Sequence, residues 1–174
     1  MALYRFGERA PSIGDGTWIS GSAQVIGDVV LGAECYIGHG AILRGDYGSI
    51  RIGSRTAIEE NATVHINSGR VSLIGERVTV GHGAVVHCNR IADLAVIGMG
   101  AVLSFDAVIG TWTIVAEGCV VPRGMEIPAE KIVAGVPARI VGDVQDHHKE
   151  FWIRGKQLYV DLARRYPQEL ERID

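Results

Sequence analysis

Six polar residues in the first half of the chain have types and spacings that could do chemistry: Arg44, Asp46, Glu59, His65, His82 and His87. Neutral imidazoles are common metal ligands, and three of them around an ion with one open position make a catalytic zinc site. An arginine can hold a carboxylate or another planar anion. A glutamate nearby can take or give a proton. None of this matters unless the backbone brings the residues together, so the next question is what positions them.

The frame is a six-residue repeat. Aliphatic residues recur at Ile13, Ile19, Val25, Leu31, Ile37 and Leu43, again at Ile52, Ile58 and Val64, and again at Ile74, Val80 and Val86. A last run goes from Ile91 through Ile97, Leu103, Ile109, Val115, Val121 and Ile127 to Val133. A short fixed period of this kind marks a solenoid. Six is too long for strand alternation and fits no helical stripe. It predicts an all-β solenoid over roughly residues 11–140, the left-handed parallel β-helix of hexapeptide-repeat proteins. Each coil then has three flat sides, and each side turns one aliphatic and one small residue inward. Glycine follows many of the aliphatic residues, as at Gly14, Gly32, Gly53 and Gly98, where tight corners are expected.

The pattern divides one domain into a β-helix over residues 1–141 and a helical tail over 142–174. Gly135-Val136-Pro137-Ala138-Arg139 reads as the exit from the solenoid. The spacing Leu158, Leu162, Tyr166 predicts an amphipathic C-terminal α-helix that packs on the β-helix, with Pro167 as a late stop.

Composition narrows the function classes. A chain of 174 residues with 47% hydrophobic content supports one domain with a full core. Net charge is −3 with no basic cluster, which argues against nucleic acid. No apolar run approaches membrane-spanning length. Met1–Phe6 lacks a signal-peptide pattern, so the cytoplasm is the expected compartment. Cys35 and Cys119 take small inward positions of the repeat. Cys88 lies outside that pattern beside His87, and a role other than metal ligand is expected for it.

The repeat breaks where the chemistry could lie. Arg44, Glu59, His65 and His87 replace the small residue that normally follows the aliphatic one, and His82 sits one place later in its hexad. The step lengthens from Leu43 to Ile52 and from Val64 to Ile74, and shortens from Val86 to Ile91. If each irregular step still makes one side, Leu43, Val64, Val86 and Leu103 share a face. Arg44, His65 and His87 then stack in a column at about 4.8 Å per coil. His65 and His87 can reach one ion, whereas His82 belongs to the preceding face. A ring of three chains would resolve this, with His82 of one meeting His65 and His87 of its neighbour. His39, His147 and His148 are expected to be surface residues.

Leu43-Arg44-Gly45-Asp46, Ile58-Glu59-Glu60-Asn61 through His65, and Val80-Gly81-His82 through His87 closely resemble the gamma-class carbonic anhydrases. The resemblance spans nearly the whole chain. It implies a homotrimer with Zn2+, or Fe2+ or Co2+, held between subunits by His65 and His87 of one chain and His82 of the next. It also implies that Arg44 and Asp46 serve subunit ion pairing and bicarbonate positioning, and that Tyr159 is the tail tyrosine that approaches the metal pocket. Where the family often shows Asn-x-Gln-Asp-Asn, this chain has Ala57-Ile58-Glu59-Glu60-Asn61, so Glu59 replaces the glutamine beside the metal's water. The loop Asn67-Ser68-Gly69-Arg70 is short and lacks the acidic shuttle residue of the family's archetype.

The implied activity is reversible hydration of CO2, with the metal lowering the pKa of water to about 7. Glu59 would orient the nucleophile or relay its proton, and Arg44 would hold the product's charge. Three alternatives remain open at this point. They are an acyl-CoA thioesterase of the same family, a metal-free hexapeptide acyltransferase with one catalytic histidine, and a non-catalytic trimer scaffold that binds metal. The substrate is a small molecule in the catalytic readings, CO2 and bicarbonate or an acyl-CoA.

Overall fold

The computed structural model describes residues 2–173. The chain forms a left-handed parallel β-solenoid of about seven turns followed by one helix, as the repeat predicts. The first face runs from Ala2–Tyr4 through Gln24–Leu31, Ile42–Ile52, Thr63–His65, Val85–Val86 and Val102–Leu103 to Val120–Val121. Gln24–Leu31 and Ile42–Ile52 bend round an edge, so their second halves belong to the second face, which ends at Glu126–Ile127. The third face runs from Trp18–Ile19 through Ala57–Ile58 and Thr79–Val80 to Lys131–Ala134. Strand Arg139–Asp143 closes it in antiparallel pairing.

The aliphatic residue of each hexad fills the interior: Val25, Ile37, Leu43, Ile58, Val64, Val80, Val86, Ile97 and Leu103 are all fully buried. Ala23, Cys35, Ala41, Ala62, Ala84, Ala101 and Cys119 complete the layers between them. Cys88 is also inside this core, because the shortened step from Val86 to Ile91 turns it inward. Burial pushes its thiol up to about 12, so it stays protonated.

The glycines after the aliphatic residues serve a purpose other than the expected corner geometry. Left-handed backbone falls two positions later, at Glu34, Arg55, Arg77 and Trp112 and at Gly16, Gly83 and Gly100. What excludes a side chain at Gly53 is the next coil, since a Cβ there would lie 2.6 Å from the Gly75 carbonyl carbon and 2.7 Å from the Glu76 nitrogen. Gly53→Ala should therefore cost about 2 kcal/mol or more through backbone displacement. Gly100→Ala meets open space at φ +66° and should cost about 1 kcal/mol. Chemical denaturation of the two variants checks the order.

Helix α1 spans Asp146–Glu169. It is capped by Gln145 and His148, whose Nδ1 accepts from the Gln145 N–H at 2.9 Å, so His148 has a local structural task. Pro167 lies within the last turn and the helix ends two residues beyond it. The helix lies along the third face, touching Trp18–Ile19, Tyr36–Ile37 and Ala57–Ile58. Its buried stripe differs from the expected one. Lys156, Val160 and Ala163 face the solenoid, while Leu158 is 63% exposed. Aromatic contacts seat the far end of the helix, with Trp18 edge-on to Tyr166 at 4.6 Å and Tyr36 5.1 Å from Tyr159.

Candidate metal centre

Parallel pairing sets Arg44 beside His65 on adjacent coils, and Val64 beside Val86. His65 and His87 each follow one of those valines, so their rings lie side by side, tilted by 57° with centroids 4.7 Å apart. His65 Nδ1 lies 3.1 Å from His87 Nε2. Phe105, from the next coil, meets the His87 ring edge-on at 4.6 Å. Asp46 anchors the other end, 3.1 Å from Arg44 Nη1 and 3.7 Å from His65 Nε2.

Burial first, and then the Arg44 guanidinium, hold both imidazoles below the usual histidine pKa; the two rings also repel each other's charge at His65. Both rings therefore favour the neutral form that ligates metal. Two ligand nitrogens on a tetrahedral zinc ion lie about 3.3 Å apart for bonds of 2.0–2.1 Å, close to the spacing of this pair. His87 Nδ1 is buried and has no hydrogen-bond partner among the described residues. This is the ring nitrogen other than the Nε2 that faces His65, so the fit to an ion rests on the spacing of His65 Nδ1 and His87 Nε2. The donor set fits a divalent ion at these two residues.

His82 lies on the third face, away from this pair. Its Nδ1 is 2.8 Å from Glu60 Oε2, its Nε2 is 3.2 Å from Glu59 Oε2, and its backbone N–H donates to Glu59 Oε2 at 3.2 Å. The His82 side chain remains 46% exposed. Among the described residues, one chain brings no three His, Cys, Asp or Glu side chains into a metal-holding cluster. The structure thus joins Arg44, Asp46, His65 and His87 on one face and Glu59, His82 and Tyr159 on another.

Glu59 is only 5% exposed. Burial raises its pKa, opposed by a hydrogen bond from the Tyr159 hydroxyl and by the His82 charge. Burial and the Glu59 carboxylate raise the Tyr159 phenol in turn, so it stays a donor. Glu60 is also desolvated, yet its net shift is downward because the Tyr36 hydroxyl donates to it at 2.6 Å. A cavity of about 200 Å³ opens beside these groups, lined by Glu59, Thr79, His82, Met99, Trp152 and Tyr159 among others. Larger clefts lie on the second face at Arg51, Leu73 and Arg90 and beside His39, and neither is lined by the paired histidines.

Sequence reasoning missed Lys156. It is 2% exposed, and its Nζ donates to the Ala95 carbonyl at 3.0 Å and to Thr79 Oγ1 at 3.2 Å. Burial, reinforced by the Arg77 charge, lowers its pKa from 10.5 to about 7. Its place between Trp152 and Tyr159 on the inward stripe was the available signal. The sign of the linkage follows from this. Between about 7 and 10.5 the unfolded chain binds the proton and the folded chain does not, so stability rises with pH across that window. Below about pH 7 the cost of burying the group is fully present. Thermal unfolding should show wild type gaining on Lys156→Met as pH rises from 7 to 10.

No helix of the described residues is long and apolar enough to cross a membrane. The bacterial transferase hexapeptide (six repeats) family matches residues 10–45. Gamma carbonic anhydrase 2 from Arabidopsis thaliana mitochondria is 35% identical over 93% of this chain, which spans 60% of that protein's length. The carnitine operon protein CaiE of Proteus sp. is 32% identical, with 98% of this chain and 86% of that protein covered. A crystal structure of a hexapeptide transferase family protein from Anaplasma phagocytophilum superposes with a TM-score of 0.90 at 30% identity, covering 95% of this chain and 98% of that one. Repeat, motifs and relatives agree that this chain belongs to the gamma-class carbonic anhydrase family of hexapeptide-repeat proteins.

Proposed function

We propose that the protein is a metal-dependent carbonic anhydrase that interconverts CO2 and bicarbonate as a homotrimer, with its sites between subunits. One observation carries this reading: two imidazoles with ring nitrogens 3.1 Å apart on one face, with the third histidine exposed on the adjacent face. His65 and His87 of one chain and His82 of the next would hold Zn2+, or Fe2+ or Co2+. A bound divalent ion supplies Lewis acidity and lowers the pKa of water toward neutrality.

The chain's own residues do the rest. Glu59 presents a buried carboxylate beside His82 and takes the proton released on hydration. Tyr159 donates to Glu59 and fixes its orientation. Glu60, half-open to solvent and joined to His82 and Tyr36, continues the hydrogen-bonded path outward. Arg44, held by Asp46 on the paired-histidine face, orients the bicarbonate anion at its 45% exposed guanidinium.

The test is CO2 hydration and thioester hydrolysis, measured side by side on metal-replete protein of known mass. The proposal expects one metal per subunit, a trimeric mass and CO2 hydration abolished by chelation. Thioester hydrolysis without CO2 hydration would move the assignment to an acyl-CoA thioesterase. Acyl transfer by protein free of metal would favour an acyltransferase, a reading that the transferase family of the Anaplasma phagocytophilum protein keeps in view. Metal and trimer without turnover would leave a structural scaffold.

A further inference from the structure

We propose that Lys156 is a positioning residue: it clamps helix α1 to the third face and thereby holds Tyr159 against Glu59 at the candidate centre. The proposal deepens the carbonic anhydrase reading, and rests on it only for the activity readout.

The observation that demands an account is a fully buried amine that makes no ion pair with a carboxylate among the described residues. Its Nζ donates to the Ala95 carbonyl and Thr79 Oγ1, 61 and 77 positions away in sequence. Trp152 lies beside it with the ring centroid 6.0 Å from Nζ. A leucine or methionine would fill such a site without the cost of desolvating nitrogen, so packing alone does not explain a lysine there. Directional bonds supply what apolar packing cannot. A helix that slips by one residue turns its side chains by about 100°. Bonds to two fixed acceptors on the solenoid forbid that slip.

The acceptors are well placed to register the helix against the candidate centre. Ala95 O already accepts the Thr79 N–H at 3.1 Å, so Lys156 joins an existing link between adjacent coils. Thr79 pairs with Ala57 and Val80 with Ile58, the residue before Glu59. On the helix, Tyr159 follows Lys156 by one turn and Trp152 precedes it by one turn, so all three share a face. Trp152, Thr79, Tyr159 and Glu59 line the same cavity. Fixing Lys156 on Thr79 and Ala95 therefore fixes the Tyr159 hydroxyl relative to Glu59. The lowered pKa agrees with this role, because a neutral amine has two N–H groups to match the two acceptors.

The test substitutes Lys156→Met in protein carrying 3-fluorotyrosine, with the Tyr159 resonance assigned from Tyr159→Phe. Methionine matches the stem in length and burial, so the fold, metal content and assembly are expected to survive. The Tyr159 fluorine signal should broaden or split, where wild type gives one sharp line. Turnover for CO2 should fall roughly tenfold at unchanged KM, the scale of a small misplacement of a catalytic group. Adding Tyr159→Phe to Lys156→Met should cost little more, because both act through the same contact. Lys156→Gln, which keeps a donor on a shorter stem, should fall between wild type and Lys156→Met in line width, and this variant keeps the test open should Lys156→Met fold poorly. A sharp, unshifted Tyr159 signal in the substituted protein would overturn the clamp. An inactive wild type would count against the carbonic anhydrase reading alone, since the resonance does not depend on turnover.

Discussion

His82→Ala should lose its metal as completely as His65→Ala or His87→Ala, although His82 touches neither of them within a chain. Each substitution removes one of three protein ligands from the proposed site. Loss of an outer partner of a metal ligand commonly costs 10–100-fold, so loss of a ligand itself should exceed about 10²-fold in both metal affinity and CO2 hydration. His82→Ala also frees Glu59 and Glu60 from their contacts at 3.2 and 2.8 Å. Their repulsion should make the third face less stable, so metal content must be measured on protein shown to be folded by circular dichroism. Full metal content in folded His82→Ala would remove this residue from the site. His39→Ala is the control. The His39 ring bonds Ser20 Oγ at 2.6 Å and lies among Trp18 and Tyr166, so its loss should leave metal content intact.

The second large effect is expected at Glu59. It stands where the family glutamine usually does, and it is the buried carboxylate nearest His82. The short loop Asn67-Ser68-Gly69-Arg70 brings no carboxylate of its own to share the task. Glu59→Gln keeps the size and most hydrogen bonds but cannot accept a proton as a carboxylate does. Turnover should fall by about 10²-fold, the lower end of general acid–base contributions. Small buffers such as imidazole should partly restore it by carrying the proton instead. An unchanged rate that ignores buffer would assign Glu59 to orientation only, and would place it in the role of the glutamine it replaces.

The column of Arg44, His65 and His87 was legible in the sequence because a parallel solenoid converts position within a hexad directly into position on a face. The irregular steps after Leu43, Val64 and Val86 do not break that rule, since each still makes one side. His82 could be assigned to the preceding face on the same ground. The helix was less legible. Apolar spacing put Leu158 inward, but the aromatic groups of Trp18 and Tyr36 draw Tyr159, Ala163 and Tyr166 onto the solenoid, and that rotation leaves Leu158 in solvent. Lys156 was hidden because a lysine in an amphipathic pattern normally marks the wet side. The reason for the glycines was also hidden, since close approach between coils cannot be told from corner strain until the coils are stacked.

The central claim is that each metal site is shared between neighbouring chains, and subunit mixing tests it most directly. His82→Ala keeps the paired histidines, and His65→Ala keeps the donor of the adjacent face. Each should be empty and inactive as a homotrimer. Unfolded together in equal amounts and refolded with metal, they should form mixed rings in which one junction joins His65 and His87 of one chain to His82 of its neighbour. Random mixing of three subunits in a closed ring predicts recovery of about a quarter of the wild-type metal and activity. Recovery near that level, absent when either variant is refolded alone, is the result expected of sites shared across the subunit boundary. No recovery in verified mixed trimers would mean that each site is built within one chain, and would contradict the account.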